Sequence, residues 1–140
     1  MNTNPLAGIV RLFESLAVAD IQRLPDFYAD DAYFKDPFNE VRRVEEIRAI
    51  FARMFEQLEA PHFQVMGRIF EGDQGFLIWD MEFRLRGQQQ LRRIHGVSHL
   101  RFDASGKITY HRDYWDTAEE LYERLPVLGV FMRWLKRRVG

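Results

Sequence analysis

The stretch GFLIWDMEFRL, residues 75–85, decides the fold. Leu77, Trp79, Met81 and Phe83 fall on one side of an extended chain, and Asp80, Glu82 and Arg84 on the other. Successive strand side chains point to opposite faces, so this alternation predicts a strand with one buried and one wet face. Such strands are typical of antiparallel sheets packed on a core. Working outward, residues 63–70 predict the preceding strand, across a turn at Glu71-Gly72-Asp73. Residues 91–102 predict the following strand, beyond a polar turn at 88–90, and residues 107–116 the last, beyond Asp103-Ala104-Ser105-Gly106.

Further upstream the period changes. Ile47, Ile50, Phe51, Met54, Phe55 and Leu58 form one stripe of a helix over 44–58, with Arg48, Arg53, Glu56 and Gln57 outside it. Glu45 and Glu46 suit its first turn, and Ala60-Pro61 is expected to stop it. Residues 5–18 predict a first helix through Leu6, Ile9, Val10, Phe13 and Leu16, with Pro5 in its first turn. A short helical piece over 20–28 follows, capped by Asp20 and broken or restarted by Pro25. Residues 32–36 predict a short strand that ends at Asp36-Pro37, because the residue before proline prefers extended geometry. From Thr117 the pattern is helical again through Leu121, Tyr122, Leu125, Leu128, Phe131, Met132 and Leu135, interrupted by Pro126 and Gly129. Helices and strands are segregated, which predicts an α+β domain: a strongly curved antiparallel sheet around the long helix, with a cavity between them. Residues 1–140 are expected to form one domain, with 117–140 as a C-terminal helical extension.

Composition narrows the function. The 140 residues are 46% hydrophobic and 29% charged, as in a globular domain. A formal net charge of -1 gives no pull toward nucleic acid. There is no cysteine, which excludes disulfides, thiolate catalysis and thiolate metal sites. No apolar run approaches the roughly 20 residues of a membrane span. The opening MNTNPLAGIV lacks a basic region and a true apolar run, so a secretory signal is not expected and a cytoplasmic location is. Aromatics reach 14%, with 12 Phe and 3 Trp, which suits a core or a cavity built of large rings.

Tyr28-Ala29-Asp30-Asp31-Ala32, then Asp36-Pro37, a long helix, and strands running into Phe102-Asp103-Ala104-Ser105-Gly106-Lys107-Ile108 resemble the nuclear transport factor 2-like superfamily. That group includes ketosteroid isomerases, SnoaL-type polyketide cyclases and limonene epoxide hydrolase. The resemblance covers the chain up to about residue 125. It implies a conical α+β barrel, often dimeric through the outer face of the sheet. It places Asp36 where the isomerases keep their proton-shuttling aspartate. Phe13 and Ser98 stand where those enzymes have a tyrosine and a protonated acid. His111-Arg112-Asp113-Tyr114-Trp115-Asp116 is similar to the last strand of limonene epoxide hydrolase, with Asp113 on one of its catalytic acids. Trp79 and Met81 stand where that enzyme has an arginine and a second aspartate.

The residues themselves leave several readings open. If Phe34 faces the cavity, so does Asp36, and desolvation would raise its pKa toward that of a general base. Otherwise Asp36 bonds the turn backbone beside Pro37. His111, Asp113 and Trp115 share one face of the last strand, with the first two roughly 6 to 7 Å apart at Cα. They either hold a ligand or a water for proton transfer, or form a satisfied buried cluster with Arg101 or Arg112 as outside partner. Phe34, Trp79, Met81 and Phe83 are expected to pack the core first and to wall a ligand second. Phe13, Phe34, Trp79, Met81, Ser98 and Trp115 are the ligand-binding candidates, with backbone satisfaction as the competing role for Ser98. A metal held by His111, Asp113 and Asp36 is the minor alternative; no metal and no cofactor is expected, since His62, His95, His99 and His111 show no ligand spacing on one element. His95 and His99 are expected on the outer sheet face. The tail Arg133-Trp134-Leu135-Lys136-Arg137-Arg138 is basic and amphipathic. It is expected to cap the cavity mouth or extend a dimer, with a solvated helix end or peripheral contact with anionic lipid as the alternatives.

Three functions therefore compete. One is an isomerase-, cyclase- or hydrolase-type enzyme on a small apolar molecule, with Asp36 as base and Asp113 and His111 as partners. Another is a non-catalytic module that carries or senses such a ligand. The third is assembly, a homodimer through the outer sheet face around Arg112, Tyr114 and Asp116.

Overall fold

A computed structural model describes residues 4–116. The C-terminal helix and its basic face, expected over 117–140, lie outside the described residues. The chain opens with α1 (Leu6–Glu14), whose Leu6, Ile9, Leu12 and Phe13 are buried. The Asn4 side chain accepts the Leu6 N–H at 2.8 Å, and the Ser15 hydroxyl donates to the Arg11 carbonyl at 2.7 Å, ending the helix earlier than its apolar spacing predicts. A 3₁₀ turn (Val18–Arg23) follows. Asp20 does not cap from in front. Its carboxylate reaches back to the Ala17 N–H at 2.9 Å, satisfying an orphan donor from inside the turn. Pro25 opens the single helical turn α2 (Leu24–Phe27), where its missing N–H costs nothing.

The strands are β1 (Tyr28–Lys35), β2 (Glu40–Val41), β3 (Leu58–Glu71), β4 (Gln74–Leu85), β5 (Arg92–Phe102) and β6 (Ile108–Tyr114). They form one six-stranded sheet in the order β2-β1-β6-β5-β4-β3. The sheet is mixed, not purely antiparallel as expected: β1 runs parallel to β6, pairing Phe34 with His111 and Lys35 with Arg112. Between β1 and β6 in sequence come α3 (Val44–Gln57) and three strands of the meander, so a parallel return is possible. That pairing sets the tip of β1, and with it Asp36, beside the tip of β6.

α3 packs against both β1 and β3, which lie toward opposite ends of the sheet, so the sheet curls around the helix without closing. Val44, Ile47 and Phe51 are buried on this face. The last carbonyls of α3 are capped from afar. Arg86 donates to the Phe55, Glu56 and Leu58 oxygens at 2.9, 2.7 and 3.3 Å. Ala60-Pro61 does not stop the helix, which has already given way to strand at Leu58. The pair instead makes a bulge inside β3, with Ala60 at φ 51° and the register slipping between Glu59 and His62. β3 is an edge strand, where a proline removes no ladder bond.

The alternation in β4 is realised fully. Leu77, Trp79, Met81, Phe83 and Leu85 are buried on the concave side. Gly96 on β5 lies opposite Trp79, and a Cβ there would stand 2.7 Å from the indole and 3.0 Å from the Tyr114 carbonyl. The missing side chain is what lets the indole lie flat on the sheet. His95 and His99 face outward as expected, His95 on Asp80 at 2.6 Å and His99 on Gln74 at 2.8 Å.

Candidate functional site

Asp36 follows the last residue of β1, where the chain turns into β2. Its Oδ1 accepts the N–H groups of Phe38 and Asn39 at 2.8 and 2.7 Å, and the Asn39 amide donates to both carboxylate oxygens at 3.0 and 3.1 Å. The Asp36 N–H in turn donates to the Asn39 carbonyl at 2.9 Å. The turn therefore fixes the carboxylate, and the two readings of Asp36 are not alternatives. The same group that ties the turn also lines a cavity of about 150 Å³ between α3 and the concave sheet.

That cavity is mostly aromatic. Phe34, Phe38, Phe63, Trp79, Phe83 and Trp115 contribute walls, with Met81 and Ile94 from the sheet and Ile50, Phe51 and Met54 from α3. Phe38 meets Trp115, and Phe63 meets Trp79, edge to face at 5.5 and 5.4 Å. Two carboxylates enter it, Asp36 and Asp113. Both, with Trp115, also line an open recess of about 520 Å³ bordered by Lys35, Pro37 and Arg112, so they stand between the cavity and the recess. Burial, then the negative charge of Asp113, pushes the Asp36 carboxyl up from 3.8 to about 6, against the pull of the Phe38 and Asn39 donors.

Asp113 heads a second group. Its Oδ1 accepts the Ser98 hydroxyl at 2.5 Å and His111 Nε2 at 2.7 Å. Ser98 accepts the Trp79 indole N–H at 2.9 Å. His111 Nδ1 meets the Tyr28 hydroxyl at 2.7 Å. Burial, then the charge of Asp113, holds the Tyr28 phenol well above its ordinary value, so it stays protonated and donates. These partners assign the imidazole proton to Nε2, facing Asp113. The chain Tyr28–His111–Asp113–Ser98–Trp79 is thus satisfied at every link. Arg101 and Arg112 are not its outside partners. They lie over the rings of Tyr110 and Tyr114, on the other face of the sheet.

The expected site residues therefore separate into two sets. Asp36, Phe34, Trp79, Met81, Asp113 and Trp115 line the main cavity. Phe13, Ser98 and His111 do not. They border a neighbouring void of about 20 Å³, room for one water, together with Trp79 and Asp113. Asn39, Arg53 and Gln57 line the cavity and were not among the expected residues. Arg53 lies three residues after Ile50, and Gln57 three after Met54, at the rim of the apolar stripe. Helical spacing alone carried that signal. Among the described residues, no three His, Asp or Glu side chains are grouped to hold a metal ion, and no helix is long and apolar enough to cross a membrane.

The sequence pattern of the SnoaL-like domain matches residues 9–111. No curated protein matches the chain. Several solved structures share the fold. An NTF2-like protein of unknown function from Burkholderia pseudomallei K96243 superposes with TM-score 0.75 at 15% identity, over 86% of this chain and 97% of that one. A ketosteroid isomerase-like protein from Catenulispora acidiphila DSM 44928, solved with trimethylamine, gives TM-score 0.73 at 16% identity over 87% and 92%. A protein named for the SnoaL-like polyketide cyclases, from Shewanella denitrificans OS-217, gives 0.69 at 20% identity over 86% and 96%.

Proposed function

Since the chain belongs to the SnoaL-like domain family, we propose that it is a proton-transfer enzyme acting on a small, largely apolar molecule, with Asp36 as the general base. The observation that carries this reading is a carboxyl pushed up to about 6 on the wall of an aromatic cavity. A base of that strength is ionised at neutral pH and still holds a proton strongly enough to take it from carbon and return it. Asp36 removes a proton from a carbon beside a carbonyl, the electron pair moves onto the carbonyl oxygen, and Asp36 delivers the proton back to the resulting enolate. Isomerisation and ring closure both begin with that step. Asp113 acts through its charge, which strengthens Asp36 as a base. His111 and Tyr28 position Asp113 and touch no substrate, since both imidazole nitrogens are engaged within the chain. A cavity of about 150 Å³ suits a body of about one ring.

The test is exchange of carbon-bound hydrogen into heavy water across a panel of one-ring ketones. The wild type exchanges at least one member, and Asp36→Asn loses that exchange while folding normally. Undiminished exchange in the variant refutes the role of Asp36.

One observation favours a second reading, a module that binds without converting. The Ser98 hydroxyl, which donates to Asp113, and the Trp79 indole N–H, which donates to Ser98, are both occupied within the protein. A carrier binds its ligand equally well after Asp36→Asn but more weakly after Trp79→Ala. The same domain is read as a homodimer through the outer sheet face. Met66, Ile69 and Tyr114 are exposed, and Phe76, Ile78 and Val97 fall on the same face. Light scattering that returns a strict monomer refutes the dimer.

A further inference from the structure

The proton-transfer step leaves negative charge on an oxygen, and that oxygen needs a donor. Most of the N–H groups around the cavity are already committed. The Asn39 amide serves Asp36, and the Trp79 indole serves Ser98. Trp115, two residues after Asp113, lines the cavity and the recess together with Asp36 and Asp113, so an anion beside it would sit near both carboxylates. On the opposite wall, α3 presents Arg53 and Gln57. They are four residues apart, one helical turn, so both side chains lie on the same strip of the helix. Among the described residues neither side chain has a hydrogen-bond or ion-pair partner. The other arginines near α3 are engaged, Arg48 with Glu45 at 3.0 Å and Arg86 with the helix carbonyls.

We infer that Arg53 and Gln57 form the oxyanion end of this cavity, and that its ligand is a carbonyl or carboxylate compound with a body of about one ring. The guanidinium supplies a fixed positive charge with N–H groups in a planar fork, which matches a carboxylate or an enolate oxygen. The Gln57 amide adds a neutral donor beside it. Asp36 at the end of β1 and Arg53 on α3 then address one carbonyl group from two walls, one taking the proton from the carbon beside it and the other receiving the charge on its oxygen. This assignment rests on the proton-transfer reading for its chemistry, and on the cavity alone for its binding.

The probes are benzoate, benzyl alcohol and benzylammonium, titrated into the full chain and followed by tryptophan fluorescence, since Trp79 and Trp115 line the cavity. Benzoate is expected to bind more tightly than benzylammonium. Arg53→Gln is expected to weaken benzoate by roughly ten- to a hundredfold, as losing a charged hydrogen bond does, and to weaken benzyl alcohol, which carries no charge, by much less. Arg53→Lys keeps part of the benzoate affinity, and Asp36→Asn tightens it by removing a repelling charge. Benzylammonium binding more tightly than benzoate overturns the inference. So does benzoate affinity that is the same in Arg53→Gln, or absent from the wild type at millimolar concentration. If benzoate depends on Arg53 while carbon-proton exchange survives Asp36→Asn, the oxyanion end stands and the base is wrong. If the exchange is lost but benzoate ignores Arg53, the base stands and the oxyanion end is wrong.

Discussion

Replacing Asp36 with asparagine should stabilise the protein, and by an amount that depends on pH. The carboxyl releases its proton near 3.8 when unburied and near 6 in the fold. Between those values the folded chain holds more protons than the unfolded one. Stability therefore falls as pH rises through that window and stays lowered above it. Each pH unit between the two values is worth about 1.4 kcal/mol, so ionised Asp36 costs the folded state about 3 kcal/mol near neutrality. Asparagine keeps an oxygen to accept the Phe38 and Asn39 N–H groups and carries no charge to desolvate or to repel Asp113. The expected gain over wild type is close to nothing at about pH 4 and about 2 to 3 kcal/mol at about pH 7.5. For a chain of this length that corresponds to roughly 6 to 12 °C in Tm. Urea unfolding of both proteins at the two pH values reads it directly. A stability difference that is the same at both, or a variant less stable than wild type at neutral pH, refutes the claim that the cavity strains this carboxylate.

Other outcomes follow from the same geometry. For any substrate found, kcat/KM rises with pH through about 6 and then levels, because only ionised Asp36 accepts the proton; a flat profile across that range contradicts the assignment. Gly96→Ala drives a methyl into the Trp79 indole and costs about 1 to 3 kcal/mol. It also changes the emission of Trp79, so stability and fluorescence read the same displacement. Tyr28→Phe leaves His111 Nδ1 buried without its partner, for a loss of about 1 to 3 kcal/mol in urea unfolding.

Much of the fold is legible in the sequence because two periods survive intact. The two-residue alternation of Leu77, Trp79, Met81 and Phe83 gives the buried face of β4, and Ile47, Ile50, Phe51 and Met54 give the inner face of α3. What periodicity does not carry is direction. Nothing in residues 28–35 distinguishes a parallel neighbour from an antiparallel one, and the β1–β6 pairing is parallel. Ala60-Pro61 misleads for a related reason: proline breaks a helix interior but fits a bulge on an edge strand, and the local residues are the same in both cases.

The site is legible to the same degree. Asp36, Asp113 and Trp79 are found by asking which polar or ring side chains share the apolar face of their strand. Tyr28 is not, because its partner His111 lies 83 residues away and only the parallel pairing joins them. Arg53 and Gln57 escape because charged and amide groups beside an apolar stripe read as its solvent face. Long stems at such a rim reach inward as readily as outward. The helical spacing was visible, but the hollow beneath it was not.

The most direct test of the account follows the Asp36 carboxyl carbon by 13C NMR as the pH is raised from about 3 to about 9. A midpoint near 6, moving lower when Asp113 is changed to asparagine, is the expected result. A midpoint near 3.8 in the wild-type protein means that the carboxylate is solvated like any surface aspartate, and the cavity then has no base.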